Sequence, residues 1–271
     1  LTMSLPMKWV KKNNLKQGDE LDVEEDGQNL IIGGKVVPKT TSLTLDVSGT
    51  NNMLNRIVAA TYKAGFDEVI LKYQTPEELN IIQKTVDRAC HAFDIINYSE
   101  DTVHIKAISA LDPNDFETIL KRLFFTVIDI SEETVKAFEK KDYEKMKSLV
   151  LMDRPVDKNA DFCRRILNKG LHQKYTNPMA VYTIIEQTEV MCDYYKKMLG
   201  KIAEREIVLD KDKIELLSMI SELLRIFYKV FLKFNMKGIK EIGDFEVKIK
   251  AKRDQLIKKQ VKNQDMLFYI L

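Results

Sequence analysis

Six carboxylates at helical spacing are the residues in this chain best placed to do chemistry. In LMDRPVDKNADFC, Asp153, Asp157 and Asp161 recur at every fourth position, and in IIEQTEVMCDYY, Glu189 and Asp193 repeat that interval with Glu186 one turn earlier. Residues four apart share one face of a helix, and like charges there destabilise it unless something neutralises them. A cation would do so. Ligand sets made only of oxygen suit hard ions such as magnesium, manganese, calcium or ferric iron. The alternative is a solvated acidic face, or ion pairs with Arg154, Arg164, Arg165 and Lys197. If the two helices pack antiparallel, the two sets of carboxylates face one another.

A second set is cationic. Lys8, Lys11, Lys12 and Lys16 surround Trp9 within nine residues, and an acidic run from Asp19 to Asp26 follows at once. Such lysines either form a solvated patch or meet phosphates. Four per chain give weak binding, and a dimer doubles the footprint and its salt dependence.

No enzyme constellation competes, and the chain reads as a non-enzyme. His91, His104 and His172 are scattered. There is no GxGxxG, no GxxxxGK[ST] and no HExxH. The Gly33-Gly34-Lys35 stretch is too short for a phosphate loop. Cys90, Cys163 and Cys192 share no short spacing, which argues against a disulfide framework and for a reducing cytoplasm. A net charge of +2 gives no global nucleic-acid signal. No apolar run reaches the ~20 residues of a membrane span. The first residue is Leu1, and a true N-terminus is expected to be missing from the sequence.

The elements that must hold these residues fall into three textures. From Leu1 to Val37 the pattern is a strand at SLP, a helical turn or two over MKWVKKNNL, a strand around Leu21–Val23, an Asp26-Gly27 turn and a return strand NLIIGG. From Thr40 to Ala110 it is strand, helix, strand, helix, strand, strand, which predicts a small α/β sandwich with its helices on one sheet face. There Gly65 reads as a C-cap, and Thr75, Pro76 and Glu78 as a capping box. Beyond Pro113, helices are predicted over Asp115–Lys141, Tyr143–Gln173, Pro178–Glu206, Lys211–Lys237 and Phe245–Asn263, with breaks at Thr176–Pro178 and near Gly238. Phe116, Ile119, Leu120, Leu123 and Val127 form a core stripe. Met146, Met152, Met179, Met191 and Met198 are further core candidates. The fold class is α+β and multidomain: residues 1–37, 40–110 and 113–271, the last an antiparallel helix bundle.

Two stretches resemble known families. SLPMKWVKKNNLKQGDELDVEEDGQNLII is similar to the SLPkkWvkkxxLkkGDel pattern of AbrB/MazE/SpoVT-type swapped-hairpin domains, with Pro6, Trp9, Leu15, Gly18, Asp19 and Leu21 in place. The resemblance implies a homodimer of interlocked hairpins forming one small barrel. Leu15, Leu21, Val23, Leu30 and Ile32 would be its core. Lys8, Trp9, Lys11, Lys12 and Lys16 would face double-stranded DNA, and the acidic strands would turn away. A strand precedes SLP in that family and is expected to have been disordered or removed here.

The helical region resembles PhoU, the phosphate-uptake regulator. DRPVD (Asp153, Asp157) and EVMCD (Glu189, Asp193) match the E/D-x-x-x-D motif of its first three-helix unit. The resemblance implies that these four hold a divalent or ferric ion (magnesium, manganese, zinc or iron). The second unit departs from the pattern: KAKRD keeps only Asp254, with Lys250 in the first position. Pro155 inside DRPVD predicts a kink or a capped break. The three segments together resemble archaeal phosphate-uptake regulators. That implies a cytoplasmic, dimeric, DNA-binding regulator of phosphate uptake whose bundle contacts a transporter or its sensor kinase. The alternatives are a metal-binding adaptor working by protein contact, with the hairpin domain only dimerising, and an antitoxin-like role.

Overall fold

The computed structural model describes residues 3–12, 14–26, 29–33, 41–109, 112–171 and 175–258. The chain divides into two compact units, Leu1–Thr41 and Ser42–Leu271.

In the first unit, Met3–Pro6 is irregular rather than the expected strand. Helix α1 (Met7–Lys12) follows, with Trp9 and Val10 donating backbone hydrogen bonds to the Pro6 carbonyl. Strands β1 (Asp22–Asp26) and β2 (Asn29–Gly33) pair antiparallel from Asp22↔Gly33 to Asp26↔Asn29, the hairpin read from the sequence. Its turn residues 27 and 28 lie outside the described residues. Leu15, Leu21 and Ile32 are half-buried, while Val23 and Leu30 stand 59% and 57% exposed. No described residue of this unit is buried, so within one chain these five side chains do not make a core.

The second unit opens with the expected sheet: β3 (Ser42–Asp46), α2 (Leu54–Lys63), β4 (Glu68–Lys72), α3 (Pro76–Ala89), β5 (Phe93–Tyr98) and β6 (Thr102–Ala107). The strand order is β3-β4-β6-β5, with β3 and β4 parallel and the other pairs antiparallel. Leu54, Val58 and Tyr62 of α2 and Ile82 and Val86 of α3 bury Val69, Leu71, Val103 and Ile105 of the sheet. Thr75 caps α3 by accepting from the Glu78 amide, and Glu78 accepts from the Thr75 amide in return, as the sequence predicts.

Among the described residues six helices follow: α4 (Asp115–Lys140), α5 (Tyr143–Val150), α6 (Asp153–Asn168), α7 (Pro178–Arg205), α8 (Lys211–Leu232) and α9 (Met236–Lys258). The expected single helix Tyr143–Gln173 is two. Proline has no amide to bond residue i−4 and clashes with its carbonyl, so Pro155 breaks the chain at Leu151–Met152 and sits in the first turn of α6. The stripe on α4 is core, with Phe116, Leu120, Leu123 and Val127 buried and Ile119 packed against it. Met146 and Met198 are buried, but Met152 and Met179, at helix starts, are exposed. The second expected break lies at Lys233–Asn235, before Gly238. Asn235 caps α9 by accepting from the Gly238 amide. Gly238 is there for contact: a Cβ would come within 2.3 Å of Val230 Cγ2. Residues 259–263 of the last expected helix lie outside the described residues.

One buried cation joins the sheet layer to the helices. Arg165 on α6 is fully buried and donates to the carbonyls of Tyr62 (2.8 Å) and Phe66 (2.7 Å) and to Asp67 Oδ1 (2.7 Å). Its guanidinium lies over the Tyr62 and Phe93 rings, 5.0 and 4.7 Å from their centroids. Lys169 donates to both Asp67 oxygens and to the Gly65 carbonyl, and Asn168 to the Lys63 carbonyl. Gly65 needs its φ of +98° to close the turn, and a Cβ there would meet Lys169 Cγ at 2.9 Å. Arg165→Met should leave the Phe66 carbonyl without its Arg165 donor, remove one of two donors from the Tyr62 carbonyl and the ion pair from Asp67, and lower stability by about 2–4 kcal/mol, measured by denaturant unfolding followed by circular dichroism.

Candidate functional site

The six carboxylates do meet. The N-terminal half of α6 packs along the middle of α7, so Asp153, Asp157 and Asp161 face Glu186, Glu189 and Asp193. The Pro155 break makes this possible, because α6 starts at Asp153 and carries all three aspartates on one face. Helices α2 and α3 form the opposite wall of a cleft of about 840 Å³, contributing Arg56, Lys63, Lys84 and Arg88.

Cations hold the carboxylates in this arrangement. Arg88 reaches from α3 to Asp157 Oδ2 at 3.1 Å and to Asp153 Oδ2 at 3.9 Å. Lys196 lies 2.5 Å from Asp153 and 3.6 Å from Asp193. Arg164, almost wholly buried, donates to Glu186 (2.6 Å) and Glu189 (3.0 Å) and lies 3.6 Å from Asp161. Lys63 adds a 3.9 Å contact to Asp161. Of the partners nominated from the sequence, Arg164 serves. Arg165 is committed to Asp67, Lys197 lies over the Tyr194 ring, and Arg154 is exposed. Lys196 could have been found from its spacing to Asp193. Arg88 and Lys63 could not, because they arrive from the sheet layer through tertiary packing.

Burial works against this much negative charge. It pushes the Asp157 carboxyl up to about 6, helped by Asp153 and Glu189 and opposed by Arg88. It pushes Asp161 to about 6 as well, against Arg164 and Lys63. For Lys196, burial disfavours the charge, but the hydrogen bond and charge of Asp153 outweigh it and the pKa rises.

The donor chemistry fits a hard cation in part. Asp153 is 3% exposed, and its Oδ1 has no hydrogen-bond partner. That is an orphaned buried oxygen among other carboxylates. Among the described residues, however, no three acidic, histidine or cysteine side chains close on one point. A metal at Asp153, Asp157, Glu189 and Asp193 would therefore require Arg88, Lys196 and, at Glu189, Arg164 to draw back.

In the first unit, Lys8, Lys11, Lys12 and Lys16 are all exposed, and none pairs with a described acidic residue. Trp9 is half-buried between them in sequence, and the Lys16 amide donates to Asp19 Oδ2 at 2.7 Å, fixing the turn after α1. The side chains of Asp22, Glu24, Glu25 and Asp26, expected to turn away from phosphates, lie outside the described residues. Elsewhere, Cys90, Cys163 and Cys192 are buried free thiols. His104 lies 2.6 Å from Glu68, and His91 packs edge-on against Phe162. His172 lies outside the described residues.

Residues 1–42 match the family model for antidote-toxin recognition MazE, bacterial antitoxin. That match carries the hairpin unit and stops where β3 begins. No curated protein and no solved structure matches the chain. Among the described residues, no helix is long and apolar enough to cross a membrane.

The raised carboxyls set a pH dependence. In the unfolded chain an aspartate ionises near 3.9; in the fold Asp157 and Asp161 do so near 6. The fold therefore binds their protons more tightly. Their ionisation destabilises it above pH 6, and that penalty is relieved as pH falls from 6 towards 4. Asp157→Asn should flatten this part of the profile and raise the melting temperature more at pH 7.5 than at pH 5. Melting curves of both proteins across that range measure it.

Proposed function

We propose that the chain is a dimeric DNA-binding regulator of phosphate uptake, with the Leu1–Thr41 unit on duplex DNA and the helical part carrying the regulatory input. The observation that carries the first half is the four exposed lysines on a hairpin unit that matches the MazE family model. Domains of this kind commonly dimerise and bind DNA. The hairpin's exposed Val23 and Leu30 give a second copy something to cover. Lysine contacts to phosphate release counterions, so affinity falls steeply with salt. With Lys8, Lys11, Lys12 and Lys16 from each protomer engaged, the log–log salt slope of duplex binding should flatten by up to about 7 when all four are changed to alanine. Fluorescence anisotropy over a salt series measures it; equal slopes for both proteins remove the DNA reading.

The phosphate and metal parts rest on the PhoU-like spacing of Asp153/Asp157 and Glu189/Asp193 and on the orphaned Asp153 oxygen. These four residues supply the oxygens for a divalent or ferric ion. Bound there, the ion would neutralise charge that Arg88 and Lys196 otherwise balance. Elemental analysis after equilibration with manganese or iron should find metal in the wild type and none in Asp157→Ala/Asp193→Ala. Metal-free wild type leaves only the ion-paired reading. Contact with a transporter or sensor kinase would be the output of such a bundle.

The second reading is an adaptor that works by protein contact alone, its hairpin only dimerising. It is favoured by the absence of arginine, the better phosphate fork, from Lys8–Lys16.

A further inference from the structure

The turn joining α8 to α9 goes against two local rules at once. The first concerns apolar surface. From Leu232 to Lys240 every residue except Gly238 is exposed. Leu232, Phe234, Met236 and Ile239 are among them, Phe234 and Met236 over 72% and 71% of their surface. The turn is pinned in this shape. The Asn235 side chain accepts from the Gly238 amide at 2.7 Å and donates to the Lys233 carbonyl at 3.0 Å, while Gly238 lies tight against Val230. The fold therefore holds these apolar side chains out in water. Tyr175, stacked on Phe231, brings the start of α7 to the same end, where Met179 is exposed as well.

The second rule concerns charge. Between Glu222 and Glu241 the sequence has no carboxylate, but it has Arg225, Lys229, Lys233, Lys237 and Lys240. Arg225 pairs with Glu132 on α4. The four lysines are exposed, and none pairs with a described carboxylate. Lys229 and Lys233 suit the C-terminal end of α8. Lys237 and Lys240 lie in the first turns of α9, the positive end of its dipole, where the first turn holds no acid. The start of α4 reaches this end through Phe116, whose ring meets Tyr175 at 6.0 Å. There Glu117 is hydrogen-bonded to Tyr175, which leaves Asp115 against four lysines.

We infer that the α8–α9 turn docks on an anionic lipid surface. Leu232, Phe234 and Met236 enter the interface, and Lys229, Lys233, Lys237 and Lys240 meet the headgroup phosphates. A bilayer interface offers both things this turn lacks, acyl chains for the apolar groups and anions for the ammonium groups. A nucleic-acid backbone takes lysines but leaves Phe234 and Met236 in water. A second copy brings four more lysines against the first four. The contact lies on the membrane without spanning it, and it adds to the proposed regulator a place at the membrane that does not depend on DNA binding.

Cosedimentation of the full chain with lipid vesicles tests this. The protein should pellet with vesicles containing phosphatidylglycerol and not with pure phosphatidylcholine, and binding should weaken as salt rises. Lys237→Gln/Lys240→Gln should weaken it ~20-fold, about fivefold per lysine. Phe234→Ser/Met236→Ser should weaken it roughly tenfold or more. Both variants change exposed residues and should keep the wild-type circular dichroism and melting temperature. The native cysteines are buried, so Phe234→Cys can carry an environment-sensitive dye, which should brighten on the anionic vesicles alone. No binding to anionic vesicles overturns the inference and leaves the turn to an acidic protein surface. Binding that both variants leave unchanged overturns it too, by assigning the lipid contact to other lysines. So does binding that falls in the lysine variant but not in Phe234→Ser/Met236→Ser, because adhesion by charge alone inserts no side chain.

Discussion

A two-stranded hairpin and a turn and a half of helix cannot shield themselves from water, and the account of this protein depends on that constraint. An isolated hairpin is marginal, and so small a unit buries too little apolar surface to offset its ordering entropy. Here the shortfall is visible residue by residue. Trp9, Val10, Leu15, Leu21 and Ile32 reach only half-burial, and Val23 and Leu30 stay in solvent. Val23 pairs with Ile32 across the strands, and Leu30 lies two residues along from Ile32, on the same face. One apolar hairpin face is thus left without cover. In the proposed dimer a second copy would supply the cover and would place a second set of lysines beside the first, so that folding and nucleic-acid affinity would be coupled.

The larger unit solves the opposite problem, since it has core to spare and charge to hide. Its sheet layer is fastened to the helices at one end by Arg165, where every donor but one has a carbonyl or carboxylate within hydrogen-bonding distance or an aromatic ring beneath it. At the other end the same two layers meet through longer contacts, Arg88 to Asp157 and Lys63 to Asp161. Buried ion pairs contribute little net stability but are costly to break one side at a time. The carboxylate cleft is therefore the place where a change of counter-ion would be felt by both layers.

Much of this was legible because it is local. The Thr75–Glu78 capping box and the strands β3 to β6 rest on neighbours close in sequence. The spacing of Asp153, Asp157 and Asp161 correctly placed them on one face. What was not legible depends on residues far apart in sequence. Arg88 answers Asp157 across 69 positions and Arg165 answers Asp67 across 98. Pro155 was read as a kink or a capped break, and the structure shows the break, with Pro155 in the first turn of α6. Gly238 looked like a terminator, yet its lack of a side chain serves a close approach to Val230.

The most direct test is the oligomeric state of the full chain and of Val23→Asp/Leu30→Asp, by sedimentation equilibrium at micromolar concentration. The account predicts a dimer that the double substitution turns into a monomer with its helical content intact. A wild-type monomer, or a dimer indifferent to both aspartates, would contradict it.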